Sequence, residues 1–230
     1  MRTYLNLEDI NELEEAADCL RDKLLVRLLY YSACRISETL ALTVQDIDFK
    51  QGTIVIKHLK ERIKLSCSHC GTRLSKANKY CPGCGHKLNE TEKDMLEQTR
   101  RRILPIDPET LKMLKEYIDR GGSVNRDGRL LLFDINRHRA WQIIKQCAIK
   151  AGLPRLINPE TGKEHNISPH RLRDAFAVHA VKQDDSGDGL RMLQEHLGHA
   201  SISTTMRYRK VAGEEHQQWY DKLWQKEDKS

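Results

Sequence analysis

The chain has 230 residues, enough to bury one large core or two small ones. Its net charge of +6, with 39 Lys and Arg against 33 Asp and Glu, is suggestive of a polyanionic partner. No apolar run approaches the roughly 18 residues of a membrane span, and the opening MRTYLNLEDI lacks the basic–apolar–small order of a secretory leader, so a cytoplasmic protein is expected.

Leu7 to Asp18 and Cys19 to Tyr31 read as two helices, the second carrying Leu20, Leu24, Leu25, Leu28 and Leu29 at core spacing. Arg35 opens a short helix with Ile36, Leu40 and Leu42 inward. Arg35 and Glu38 lie three apart, so they form either an ordinary surface ion pair or an acid holding a guanidinium fork toward an anion. Asp46 to Phe49 and Thr53 to His58 read as strands with Gly52 in the turn, because Ile54 and Ile56 alternate with Val55 and Lys57. A third strand, Arg101 to Pro105, follows after a long interruption.

That interruption holds Cys67 and Cys70, then Cys81 and Cys84, with Gly71 and Gly85 after each pair. Two C-x-x-C knuckles at this spacing suit a four-cysteine structural zinc site, closed to substrate, in which zinc supplies much of the folding energy. Seven cysteines is an odd count, which also argues against a disulfide framework. His69 and His86 are substitute ligands. The ribbon's role is open between a DNA-contacting finger and a protein-contact module. Asn89 to Gln98 reads as a polar helix or tether back to the sheet.

Pro108 to Arg120 reads as a helix with Leu111, Leu114 and Ile118 on one side. After Gly121-Gly122-Ser123 and the apolar Leu130 to Phe133, Arg137 to Ala151 reads as a helix with Trp141, Ile144 and Ala148 inward. Leu153 to Ile167 reads as a loop or loose hairpin. Between Leu131 and Arg173 eight Lys and Arg face three acids, a nucleic-acid footprint or a solvated basic face.

Ser168 is an N-cap candidate with Pro169 at the first helical position, which puts His170 and Arg173 on one face of the first turn. That turn also presents unpaired N–H groups and the positive dipole end, which favour an anion. A second helix, about Gly189 to Leu197, stops at the C-cap residue Gly198 and leaves His199 in a fixed corner. Ser201 caps a third helix that ends at Tyr208. Glu214 to Lys226 reads as a last helix with Trp219, Leu223 and Trp224 on one stripe.

Three of these segments carry a resemblance. ACRISETLAL, HRLR and LGHASISTTMRY resemble the three signature boxes of the tyrosine recombinase (phage integrase) family. The boxes match at Arg35 with Glu38, at His170 with Arg173, and at Leu197-Gly198-His199 with Tyr208. The resemblance implies an α+β fold: a mainly helical catalytic domain, residues 1–65 and 99–230, with a small antiparallel sheet. The zinc ribbon and tether, residues 66–98, are inserted in its β-hairpin. It also implies an active-site lysine in that hairpin; Lys60 is the candidate, with Lys57 and Lys64 as neighbouring alternatives.

The implied reaction is site-specific cleavage and rejoining of DNA through a 3′-phosphotyrosine, with Tyr208 as nucleophile and neither nucleotide nor catalytic metal. Arg35, Arg173 and His199 would stabilise the pentacoordinate phosphorus. Lys60 would protonate the leaving 5′-oxygen, Glu38 would orient Arg35, and His170 would accept the phenol's proton or position the phosphate. The resemblance further implies double-stranded DNA as partner, a homo-oligomer (a tetramer on paired sites) assembled through the C-terminal helix, no membrane, and a nucleoid-associated prokaryotic protein. Alternative readings are type IB topoisomerase-like nicking and resealing, a non-catalytic zinc-ribbon DNA-binding regulator, and a zinc-ribbon protein-interaction factor. Three departures stand out. Ala33 occupies a usual glycine, an exchange expected to be tolerated. Asp174 follows the second arginine where His or Lys is common, and should weaken the phosphate site or pair with a basic neighbour. The sequence also starts almost at the catalytic fold, where many members carry a helical domain ahead of it, so either a minimal recombinase or an excised catalytic fragment is expected.

Overall fold

Asn6 sets the first helix. Its side chain accepts from the Asp9 N–H at 2.9 Å while Asp9 reaches back to the Asn6 N–H at 2.8 Å, a reciprocal cap that starts α1 (Leu7–Glu15). The computed structural model describes residues 3–57, 67, 69–75, 78–87, 101–158 and 161–209. Lys60, Lys64, the tether expected at 89–98 and the C-terminal helix expected at 214–226 lie outside the described residues. The chain divides into two compact units, residues 1–56 with 102–230 and residues 57–101.

In the larger unit α2 (Leu20–Tyr31) is the central helix. Leu24, Leu25, Val26, Leu28 and Leu29 are all buried, so it is apolar on more than one face and must be wrapped by neighbours. Each such side chain contributes about 1.5–3 kcal/mol by leaving water. Its one buried cation, Arg27, meets Glu14 at 2.9 Å and Asp107 at 2.8 Å, tying α1 to the N-cap of α4 (Pro108–Asp119). α3 (Ile36–Thr39) is a single turn that begins at Arg35.

A three-stranded sheet follows, in the order β1 (Ile47–Asp48), β2 (Thr53–Lys57), β3 (Arg101–Pro105). Gly52, at φ +64°, makes the turn, and Ile54 and Ile56 are buried as the alternation requires. β4 (Val124–Arg126) and β5 (Arg129–Leu131) form a hairpin whose Asp127-Gly128 turn has both φ positive, the turn type that matches strand twist. β6 (Leu156–Ile157) and β7 (Glu164–His165) make the loose hairpin expected there.

α5 (Arg137–Lys150) buries Ala140, Ile143, Ile144, Cys147 and Ala148. Trp141 is not inward: it sits about 100° around the helix from Ala140, is 37% exposed, and carries Lys145 over its ring at 5.3 Å. The local basic excess is thinner than its count, since Lys150 pairs with Asp18, Arg155 with Glu164 and Arg171 with Asp174.

The remaining helices are α6 (Pro169–Gln183), α7 (Gly187–Leu197) and α8 (Ile202–Arg209). Ala33, Ala177, Val181, Leu190, Leu193 and Leu197 form a second apolar cluster, with Phe176, Met206 and Tyr208 packed against it. This small core seats α8 against α6 and α7 and so fixes where Tyr208 stands. Among the described residues no helix is long and apolar enough to cross a membrane.

Candidate active site

Arg173 is the hub. Ser168 has the extended backbone of an N-cap, but its hydroxyl makes no capping bond, so Pro169 at the first turn is what starts α6. One turn on, Arg173 is only 2% exposed. Its Nη1 donates to the Ala33 carbonyl and its Nη2 to the Leu197 carbonyl at 2.7 Å. Ala33 is in the left-handed region at φ +46°, a conformation that suits the glycine usual at this place. Burial, and after it the charge of Arg35, pull the Arg173 pKa down to about 10, which still leaves it charged at neutral pH.

Gly198 ends α7 in the left-handed conformation, φ +64°, and the His199 N–H closes onto the Gln194 carbonyl at 3.0 Å. His199 Nε2 lies 3.2 Å from Arg173 Nη2 and Nδ1 lies 2.9 Å from Thr205 Oγ1. A guanidinium has donors only, so Nε2 accepts and the proton sits on Nδ1. Burial first, then Arg173, Arg35, Arg102 and His170, push the His199 pKa down to about 4, so the ring is neutral.

Tyr208 stacks on that ring, with centroids 6.3 Å apart and planes 14° from parallel. Its hydroxyl donates to Asp174 Oδ1 at 2.9 Å. Burial, reinforced by Asp174, raises the phenol's pKa above its ordinary value. Asp174 is 5% exposed and also meets Arg171 at 3.2 Å and His170 at 3.6 Å. Of the two outcomes expected for an acid at this position, pairing with basic neighbours is the one observed. His170 stands at the rim, its side chain 71% exposed, while Arg173 is buried beside His199.

Glu38 gathers the other guanidiniums. It accepts from Arg35 Nη1 at 3.0 Å and from the Arg35 backbone N–H at 3.0 Å. It also accepts from Arg102 Nη2 at 2.8 Å. Burial alone would raise its pKa, but the Arg102 hydrogen bond and charge, with Arg35, bring it down to about 2. Arg35 keeps a 36% exposed side chain and is close enough to Arg173 to lower that residue's pKa. Arg102 was not among the expected residues. Its signal was there: Arg102 and buried Leu104 share one face of β3, and an arginine on the inward face of a strand needs a partner.

The structure therefore brings together Arg35, Glu38, Arg173, His199 and Tyr208, with His170 at the edge. Lys60 falls outside the described residues, and Lys57 is exposed at the end of β2. Two fixed guanidiniums beside a phenol can bind a phosphodiester and hold its oxygens while a hydroxyl attacks phosphorus.

In the smaller unit the four cysteine sulfurs lie within 4.8 Å of one another. Cys67 and Cys84 are 3.7 Å apart, and Cys70 and Cys81 are 3.5 Å apart. A tetrahedral ion with bonds of about 2.3 Å needs sulfurs about 3.8 Å apart, so the set fits a metal. Gly71 and Gly85, both at positive φ, close matching turns onto the Cys67 and Cys81 carbonyls. The Gly83 N–H points at the Cys81 sulfur at 3.3 Å. His69 and His86 stack on each other and are not members of the cluster.

The phage integrase family matches residues 3–79 and 86–215, and the chain belongs to that family. It is 26% identical to the tyrosine recombinase XerA of Pyrococcus horikoshii over 90% of this chain and 56% of that protein. It is 31% identical to the tyrosine recombinase XerC of Roseiflexus sp. over 82% of this chain and 47% of that protein. The chain thus spans about half the length of these curated relatives. Its fold is that of the crystal structure of XerA recombinase, with a TM-score of 0.63 at 22% identity, covering 97% of this chain and 66% of that one.

Proposed function

We propose that this chain is the catalytic part of a site-specific DNA recombinase that cuts and rejoins strands through a 3′-phosphotyrosine. The observation that carries the reading is Tyr208 docked on its own chain's His199, whose Nε2 touches the buried Arg173. Arg35 and Arg173 hold the non-bridging oxygens through their guanidinium donors. The phenol oxygen forms a bond to phosphorus, the bond to the 5′-oxygen breaks, the phenol gives up its proton and the leaving oxygen gains one. The reading assigns the first proton to His170, whose Nε2 lies 3.6 Å from the Asp174 oxygen that accepts the Tyr208 hydroxyl. Lys60 or Lys57 supplies the second. Rejoining is the same exchange reversed by a 5′-hydroxyl, so ester energy is conserved and no nucleotide is consumed.

Double-stranded DNA as partner is supported by Arg137, His138 and Arg139 in the first turn of α5, a turn without acids. Cations there oppose the helix dipole, which an approaching phosphate relieves. One structural relative is the XerH site-specific recombinase bound to its difH substrate in a pre-cleavage complex; the likeness has a TM-score of 0.57 at 21% identity. Zinc is the proposed occupant of the four-cysteine site of an inserted ribbon. A DNA-bound tetramer and a nucleoid-associated setting complete the reading, and bacterial and archaeal relatives support a prokaryotic origin.

The test uses a library of nicked duplexes that trap the covalent intermediate. Wild-type protein should leave a denaturation-resistant adduct, and Tyr208→Phe none, with DNA binding retained. Adducts that persist in Tyr208→Phe contradict the nucleophile, and no wild-type adduct contradicts the activity.

A further inference from the structure

Arg102 takes part in the cluster without appearing in any of the three boxes. Its Nη2 and Nη1 face the two oxygens of Glu38 at 2.8 and 3.4 Å, a fork held against a carboxylate that is itself only 3% exposed. The same two oxygens receive the Arg35 side chain and backbone. Glu38 sits on a helix of one turn, too short to hold a side chain by packing alone. Arg102 comes from a different element, β3, and clamps that carboxylate from outside.

A second contact points the same way. A Cβ built on Gly198 would lie 2.7 Å from Arg102 Nη1, so the guanidinium runs against the backbone that carries His199. Its Nε is buried and finds no partner among the described residues. An unmet buried donor is destabilising, and a buried ion pair is no better for stability than apolar packing. Stability alone does not account for an arginine in this pose.

We infer that Arg102 is a positioning residue for the phosphate site: through Glu38 it fixes the guanidinium of Arg35, and against Gly198 it fixes the corner that carries His199. The inference rests on the proposed phosphotyrosine chemistry. Without Arg102, Glu38 loses the clamp that sets its carboxylate against Arg35, and the Arg35 fork no longer faces the phosphate.

The experiment measures single-turnover cleavage of a nicked duplex carrying either an ordinary phosphate or a neutral methylphosphonate at the scissile position. With the charge removed from phosphorus, an oriented Arg35 matters less. Arg102→Met and Arg102→Lys should cut phosphate cleavage about tenfold or more, while methylphosphonate cleavage falls less than about threefold, as for Arg35→Met. DNA affinity should stay within about twofold of wild type. Arg102→Lys keeps the charge and guards against loss of the fold, which a melting curve checks. Equal losses on both substrates, or no loss in Arg102→Lys, overturn the role of Arg102. Absence of cleavage by wild-type protein instead contradicts the proposed function.

Discussion

Tyr208 and Glu38 depart from their ordinary ranges in opposite directions, and each departure has a pH signature. The phenol is buried and donates to Asp174, so its neutral form is favoured. A raised folded-state pKa contributes stability that is complete below the ordinary tyrosine value near 10 and is lost as pH rises through the folded value. Asp174→Asn keeps an acceptor and removes the charge, so Tyr208 should ionise at least about one pH unit lower. Ultraviolet titration of each protein against its Tyr208→Phe counterpart reads this; an unmoved midpoint means the hydrogen bond is not made in solution. For Glu38 the sign reverses. Its pKa of about 2 stabilises the fold above the ordinary value near 4.3, and the effect is lost as pH falls toward 2. Glu38→Gln should therefore lower the melting temperature at pH 7 far more than at pH 2. A pH-independent difference contradicts the ion-pair account.

At the scale of elements, the corner between α7 and α8 carries the most constraint. Gly198 combines a left-handed backbone with close contact to Arg102, so Gly198→Ala should cost about 1–2 kcal/mol in strain and displace His199. Denaturant melts should show the loss, and cleavage should fall further than stability explains. That corner was legible in the sequence because a glycine after an apolar helical run has one physical meaning. The alternation of Ile54 and Ile56 was legible for the same reason, as was the Pro169 start of α6. Trp141 was not, since one hydrophobic residue more or less at a helical stripe's edge leaves the periodicity unchanged. Asp174 was visible as a departure, yet its bond to Tyr208 spans 34 residues, a pairing that no local pattern encodes. Arg102 was hidden among the adjacent arginines of TRRR, where charge reads as surface unless strand alternation is followed through.

On the scale of the whole molecule, two units of different construction share one chain. The larger has a core built around α2, whereas the unit at 57–101 is short and its cysteines converge on one point. With the proposed zinc bound, a unit that small would draw its folding energy from metal rather than from burial. Purified protein should carry about one zinc per chain, and Cys81→Ser should lose it. Chelation should unprotect amides in 57–101 while those of α2 stay protected; amides in 57–101 that stay protected without metal contradict the structural zinc.

The central claim is that the phenol of Tyr208 attacks phosphorus within the cluster of Arg35, Arg173 and His199. The most direct measurement is mass spectrometry of the trapped, nuclease- and protease-digested covalent complex. The account predicts a single modified peptide in which Tyr208 carries the 3′-phosphate of a nucleotide. Attachment through any other residue, or to a 5′-phosphate, would contradict it.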